Sequence, residues 1–278
     1  MIKLEISENN GMGFTKTMHD LTSTTFSGGE EHVNFHSYKN ITSVLIHAQI
    51  DSSSEFMRLA MIKDILDKYN CPVYLKLLYV PYARQDRACA QGDAFSLRVF
   101  TRMLNALKFD KVHIADPHSD VTPALIDNLT VKSMMNIVSE SPVLTELALR
   151  STAVSPDSGA NKKHVDLANF TGKEFIRADK VRNCANGQIL RTDVYCDDLL
   201  GQEVTIWDDI CDGGRTFIEL AKALKAKGAG KINLYVTHGI FSKGTKPLLD
   251  SGIDHIYTTN SLNSYTPANY DDLTIINI

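Results

Sequence analysis

The chain contains no run of ~18 consecutive apolar residues, which excludes an α-helical membrane span. Its opening, MIKLEISENNGMG, has no basic segment ahead of an apolar stretch, so no secretory signal peptide is expected. Positive charge is not in excess either. The 29 Lys and Arg stand against 33 Asp and Glu, a net charge of −4. No global field draws the chain to nucleic acid, and neither nucleic acid nor membrane is expected as a partner. Cysteines are few and unsuitably spaced for metal or redox work. Cys71, Cys89, Cys184, Cys196 and Cys211 include no C-x-x-C pair, and an odd number suits no disulfide framework. These absences lead to the expectation of a reducing, cytoplasmic location.

What is present is ordinary for a globular protein: 278 residues, 43% hydrophobic and 22% charged. At roughly 150 residues per domain, that length suggests two domains. Short β-branched runs alternate with helical stretches. Residues 43–48 (SVLIHA), 73–80 (VYLKLLYV) and 112–115 (VHIA) read as strands, with helices over 54–69 and 95–107. The second half repeats this order, with strands at 204–207, 232–237 and 255–258 and helices at 216–227 and 243–251. Such alternation predicts an α/β fold in which mainly parallel sheets are flanked by helices. No Gly/Pro-rich linker marks the boundary, which is placed at 1–140 and 141–278. Residues 177–199 are polar and lack sustained periodicity, and they read either as a long loop of the kind that often carries function or as a surface hairpin.

The most informative segment is VTIWDDICDGGRT, residues 204–216. An apolar strand ends in Asp208 and Asp209. A turn through Asp212, Gly213, Gly214 and Arg215 then opens a helix near Thr216. Backbone N–H groups of such a turn at a helix N-terminus suit a phosphate. Adjacent carboxylates at the end of a strand suit a sugar diol or a magnesium ion. The local chemistry points to a phosphorylated sugar, although an acidic strand end before an ordinary turn would have the same spacing.

This segment resembles the type I phosphoribosyltransferase fingerprint. Other segments narrow the resemblance to the ribose-phosphate pyrophosphokinase (PRPP synthetase) family. FSGGE (26–30), YARQDR (82–87), ADPH (115–118), SPDSGANKK (155–163), THGIFS (237–242) and TTNS (258–261) follow the order of that family. The resemblance implies two phosphoribosyltransferase-like domains and transfer of the β,γ-diphosphoryl group of ATP to the anomeric hydroxyl of a ribose, with release of AMP. It places Phe26 and Glu30 on adenine and Arg84, Gln85, Asp86 and His118 at ATP. It gives His118 and Asp157 to a magnesium site, and Lys180 and Arg182, within ADKVRN (178–183), to catalysis. Asp208, Asp209, Asp212, Gly213, Gly214, Arg215 and Thr216 are implied to hold the ribose and its phosphate. The adenine loop of the family meets ATP across a subunit boundary, so a homo-oligomer is implied. Magnesium prefers oxygen ligands, so His118 is easier to place on the ion through water.

The sequence departs from this pattern in several places. The family's turn usually carries a hydroxyl residue and a glycine where this chain has Gly213 and Arg215. A guanidinium there suits a diphosphate or a larger 5′ substituent, so the acceptor is either ribose 5-phosphate or an ADP-ribose-like ribose. Gly28 replaces an Asp or Asn of the adenine loop. ACAQGDAFS (88–96) lacks the usual basic residues and proline, which argues against nucleotide feedback. A C-terminal helix of the family is not recognisable after TTNS. Two other readings stand behind the pyrophosphokinase. One is a phosphoribosyltransferase that consumes PRPP, and the other is a non-catalytic regulatory relative of the synthetases. The presence of Lys180 and Arg182 counts against the latter.

Overall fold

The structure, a computed structural model, describes residues 1–9, 14–35, 40–182, 189–262 and 272–278. The chain divides into two compact units, Met1–Lys132 and Ser133–Ile278. The division falls ahead of the one placed after residue 140. The first sheet ends at Lys132, and Ser133 then caps a new helix through a capping box with Asn136. A polar N-cap, not a Gly/Pro linker, marks the boundary.

In the first unit, β1 (Ile2–Asn9) and β2 (Phe14–Asp20) form an antiparallel pair. A small hairpin of β3 (Thr22–Thr25) and β4 (Glu31–Asn34) stands apart from the main sheet. The chain then runs through β5 (Ile41–Ala48), α1 (Ser53–Leu66), β6 (Val73–Lys76) and α2 (Ser96–Ala106). It continues through β7 (Lys111–Ala115), α3 (Val121–Leu125) and β8 (Leu129–Lys132). The sheet order is β2-β1-β5-β6-β7-β8, and β5 to β8 are parallel. The helices cover it by apolar faces at helical spacing, such as Leu97, Phe100 and Leu104 of α2. Val73–Lys76 is shorter than the strand expected over 73–80, because the backbone already bends at Leu78 and Tyr79.

The second unit opens with α4 (Met134–Glu140), α5 (Pro142–Arg150), β9 (Thr152–Ser155) and α6 (Asn161–Thr171). Next come β10 (Ile176–Arg182) and β11 (Ile189–Tyr195), an antiparallel pair. The stretch 177–199, read as loop or hairpin, is therefore largely a hairpin. Its strand signal was the alternation of buried Ile176 and Ala178 with exposed Arg177, which the polar composition hid.

β12 (Val204–Cys211), α7 (Arg215–Ala226), β13 (Ile232–Gly239), α8 (Lys246–Leu249), β14 (His255–Thr259) and β15 (Leu273–Ile276) complete the chain. The sheet order is β11-β10-β9-β12-β13-β14-β15, parallel throughout except for the β10–β11 pair. α8 is shorter than the helix expected over 243–251, because Gly244 takes a left-handed conformation (φ 71°) ahead of it. Among the described residues, no helix is long and apolar enough to cross a membrane.

The order of strands in this unit positions a site. From β9 the chain crosses to β10 on one side and later returns to β12 on the other. Loops leaving the C-terminal ends of β9 and β12 thus diverge, which opens a crevice where ligands of parallel sheets bind. The loop after β13 borders it. There Gly239 is required, since a Cβ would overlap the Phe241 ring and meet Thr258 Oγ1 at 2.8 Å. Gly239→Ala is expected to cost about 1–3 kcal/mol by overpacking, read as a lower denaturant midpoint with an unchanged m-value.

Candidate active site

Asp157 follows β9. Its Oδ2 accepts from Lys180 Nζ at 2.7 Å, and its Oδ1 accepts from the Ala160 N–H at 3.1 Å. Burial alone would push this carboxyl up. The Lys180 ammonium and the N–H groups of Ala160 and Gly159 hold it below the ordinary carboxylate range instead. Lys180 lies on β10, next to β9, so the sheet brings together two residues 23 positions apart in sequence. Arg182 continues β10 opposite Ile189, while its side chain and residues 183–188 lie outside the described residues.

Asp208 and Asp209 stand beside this pair at the neighbouring strand end. The strand expected over 204–207 continues to Cys211, so both carboxylates belong to β12 itself. The Asp209 N–H donates to Asp208 Oδ1 at 2.9 Å. Burial, and then the charge of Asp209, push the Asp208 carboxyl well above its ordinary value. Asp209 is buried, and its Oδ2 lies 4.0 Å from Lys163 Nζ, a lysine in the first turn of α6. Lys163 sits in the quoted SPDSGANKK segment, yet its link to Asp209 depends on pairing of β9 with β12 and was not legible from spacing.

Beyond the carboxylates, the chain turns through Asp212 and Gly213 into α7. Gly214 caps the helix with φ 74°, and a Cβ there would meet Leu248 Cδ2 at 2.9 Å. Arg215 is the first helical residue and is exposed, followed by half-buried Thr216. The turn has the free N–H groups of a helix start. THGIFS and TTNS buttress it. Thr259 Oγ1 and Ser261 Oγ donate to the Thr237 carbonyl at 2.6 and 3.0 Å, and His238 Nδ1 bonds Ser261 Oγ at 2.8 Å.

The residues of the first unit that the resemblance gives to ATP lie on loops after β6 and β7, which are neighbouring strands. Arg84 and Gln85 are exposed on the loop after β6, and His118 is exposed on the loop after β7. Asp86 differs. It is buried, its Oδ1 accepts from Arg87 Nε at 3.0 Å, and Arg87 holds its carboxyl below the ordinary range against the effect of burial. It therefore shapes the loop, and His118 is near enough to influence its charge. Phe26 and Glu30 occupy the tip of the β3–β4 hairpin, where Phe26 is 59% exposed beside His32. A side chain at Gly28 would meet only the end of the exposed Glu30 side chain, which can swing away, so packing does not dictate glycine there. Glu31, not singled out in the sequence, anchors this hairpin by accepting from Arg58 Nε of α1 at 2.6 Å.

Among the described residues, no group of three or more His, Cys, Asp or Glu is arranged to hold a metal. The oxygens of Asp157, Asp208 and Asp209 fit magnesium by donor type, whereas the His118 nitrogen does not fit it directly.

Residues 192–274 match the phosphoribosyl synthetase-associated domain. The chain is 28% identical over 243 residues to the ribose-phosphate pyrophosphokinase of Pyrococcus furiosus, covering 85% of this chain and 84% of that one. It is 27% identical over 270 residues to the ribose-phosphate pyrophosphokinase of Mycoplasmopsis pulmonis, covering 94% and 83%. Its fold is that of phosphoribosylpyrophosphate synthetase from Mycobacterium smegmatis, with a TM-score of 0.78 at 23% identity over 93% of this chain and 86% of that one. The expected α/β fold and the resemblance to the pyrophosphokinases both hold.

The Asp208 carboxyl gives a pH-dependent prediction. An unfolded Asp titrates near 3.9, so a folded value raised above this means that ionisation opposes folding as pH climbs past about 4. Asp208→Asn removes that opposition. The variant is expected to be more stable than the wild type at pH 7, by a margin that shrinks as pH falls toward about 4. Denaturant midpoints at the two pH values measure it, and an equal margin at both would contradict the assignment.

Proposed function

We propose that this relative of the ribose-phosphate pyrophosphokinases is a diphosphotransferase. In this reading it moves the β,γ-diphosphoryl group of ATP to the anomeric hydroxyl of a ribose bearing a 5′ phosphate, and AMP leaves. The observation that carries the reading is the convergence at adjacent ends of β9 and β12. There the Asp157–Lys180 pair, the Asp208–Asp209 pair and the turn 212–216 border one crevice.

Diphosphoryl transfer asks for positioning and charge neutralisation more than for covalent help. Asp208 and Asp209 accept from the ribose hydroxyls, and the N–H groups of the turn hold the 5′ phosphate. The raised proton affinity of Asp208 is relieved when hydroxyl donors or a cation arrive. Lys180 exchanges Asp157 for the oxygens of the group in transfer and stabilises charge that develops there, and Arg182 acts with it. Arg84 grips phosphate oxygens through its planar fork, and Gln85 and His118 complete the ATP side. Phe26 stacks on adenine and Glu30 accepts from its amino group, an arrangement that calls for a second subunit. Magnesium would supply further charge neutralisation on the ATP phosphates, and the Asp157 carboxylate offers it an oxygen ligand by donor type.

The acceptor is ribose 5-phosphate or a 5′-substituted ribose such as ADP-ribose. Exposed Arg215 at the start of α7 supports the larger one. The reading is tested by incubating the protein with ATP, magnesium and each acceptor and following AMP. Absence of AMP with both would overturn it, and pyrophosphate release from PRPP and a nucleobase without ATP would favour the phosphoribosyltransferase. Arg215→Gly is expected to lower activity on ADP-ribose selectively. Lys180→Ala is expected to reduce kcat by about 10²–10³-fold while changing the affinity for ATP far less, since its ammonium acts mainly in the transition state.

A further inference from the structure

The loop after β13 is held against the phosphate turn by its backbone. The N–H groups of Ile240 and Phe241 both donate to the Cys211 carbonyl, at 2.8 and 3.1 Å. Phe241 reaches this position with φ 45°, its ring buried where Gly239 has no side chain. A non-glycine residue in the left-handed region is costly and persists only where its surroundings impose it. The placement of the next two residues is the consequence. A side chain at position 213 would begin 3.7 Å from Lys243 Cε and 3.9 Å from Ser242 Oγ.

Those distances are ordinary contacts, so space does not dictate glycine at 213. The glycine leaves the lysine stem beside an open patch of backbone, next to the turn that would hold the acceptor's phosphate. Lys243 and Arg215 are both exposed, and neither has an acidic partner among the described residues. One phosphate monoester is already answered by the N–H groups of the turn. Two uncompensated cations at its rim suit an acceptor with negative charge beyond that first phosphate.

We propose that Lys243 is a specificity-determining residue for the acceptor, reading the second phosphate of a ribose that carries a 5′-diphosphate. The inference rests on the acceptor reading given above and extends it to a residue outside the motif. An ammonium is a point charge on a flexible stem, so reach matters here more than planar geometry. Arginine should therefore substitute for it.

The test compares wild type, Lys243→Ala and Lys243→Arg, each with ribose 5-phosphate and with ADP-ribose. AMP formation gives kcat and KM, and calorimetry gives acceptor binding. Lys243→Ala is expected to weaken binding of ADP-ribose by about tenfold, raising its KM with little change in kcat. Ribose 5-phosphate should change by less than about twofold, the KM for ATP should stay the same, and Lys243→Arg should restore ADP-ribose binding. Equal loss on both acceptors, or no loss on ADP-ribose, overturns the assignment. If the wild type binds ADP-ribose without releasing AMP, the proposed reaction fails while the binding comparison still judges Lys243. If it binds neither acceptor, both proposals fall.

Discussion

The parallel ladder between β9 and β12 is the constraint on which the second unit's site depends. Thr152 pairs with Val204 and Val154 with Ile206, which sets the end of β9 beside β12 just ahead of Asp208 and Asp209. The chain crosses to opposite sides of this ladder, with β10 on one flank and β13 on the other. Asp157, Lys163 and Lys180 are thereby brought to Asp208 and Asp209, although the sequence separates them by several elements. A slip of one residue in this pairing would turn each β12 side chain to the other face and exchange the places of Asp208 and Asp209.

Holding two carboxylates at such a strand end works against stability. Asp208 is pushed toward its neutral form by burial and by Asp209. A fold keeps such a feature where a ligand later supplies the missing donors or charge. Left-handed backbone occurs in loops of both units. Tyr82, Asp116 and Phe241 all take positive φ, at 63°, 36° and 45°, and each lies in a loop leaving the C-terminal region of a parallel strand. All three fall within the motif segments YARQDR, ADPH and THGIFS. Left-handed backbone is not confined to these loops, since Lys108 and Leu200 adopt it outside the motifs.

Much of this was legible in the chain. The buried runs of β5, β6, β12 and β13 announce themselves by composition, and α2 and α7 by helical spacing of Leu97, Phe100 and Leu104 or Phe217, Leu220 and Leu224. The acidic pair followed by a glycine turn is visible in the sequence, and the structure sets it at the junction of β12 and α7. For β10 and β11 the sequence left loop and hairpin open, because polar outer residues mask the alternation of Ile176 and Ala178. The role of Asp86 was also obscured. A carboxylate inside a motif looks like a ligand-binding group until its burial and its bond to Arg87 are seen.

The sequence by itself determined the class of chemistry, because residue type and local spacing decide what a turn or a carboxylate pair can bind. It also determined the alternation of strand and helix, since burial of one face imposes its period on the residues. Only the tertiary structure decided which distant groups meet: Lys180 with Asp157, Lys163 with Asp209, and Lys243 with the open backbone at Gly213. Those encounters follow from strand order and loop conformation, which are set by packing over the whole sheet and leave no mark at any single position in the chain.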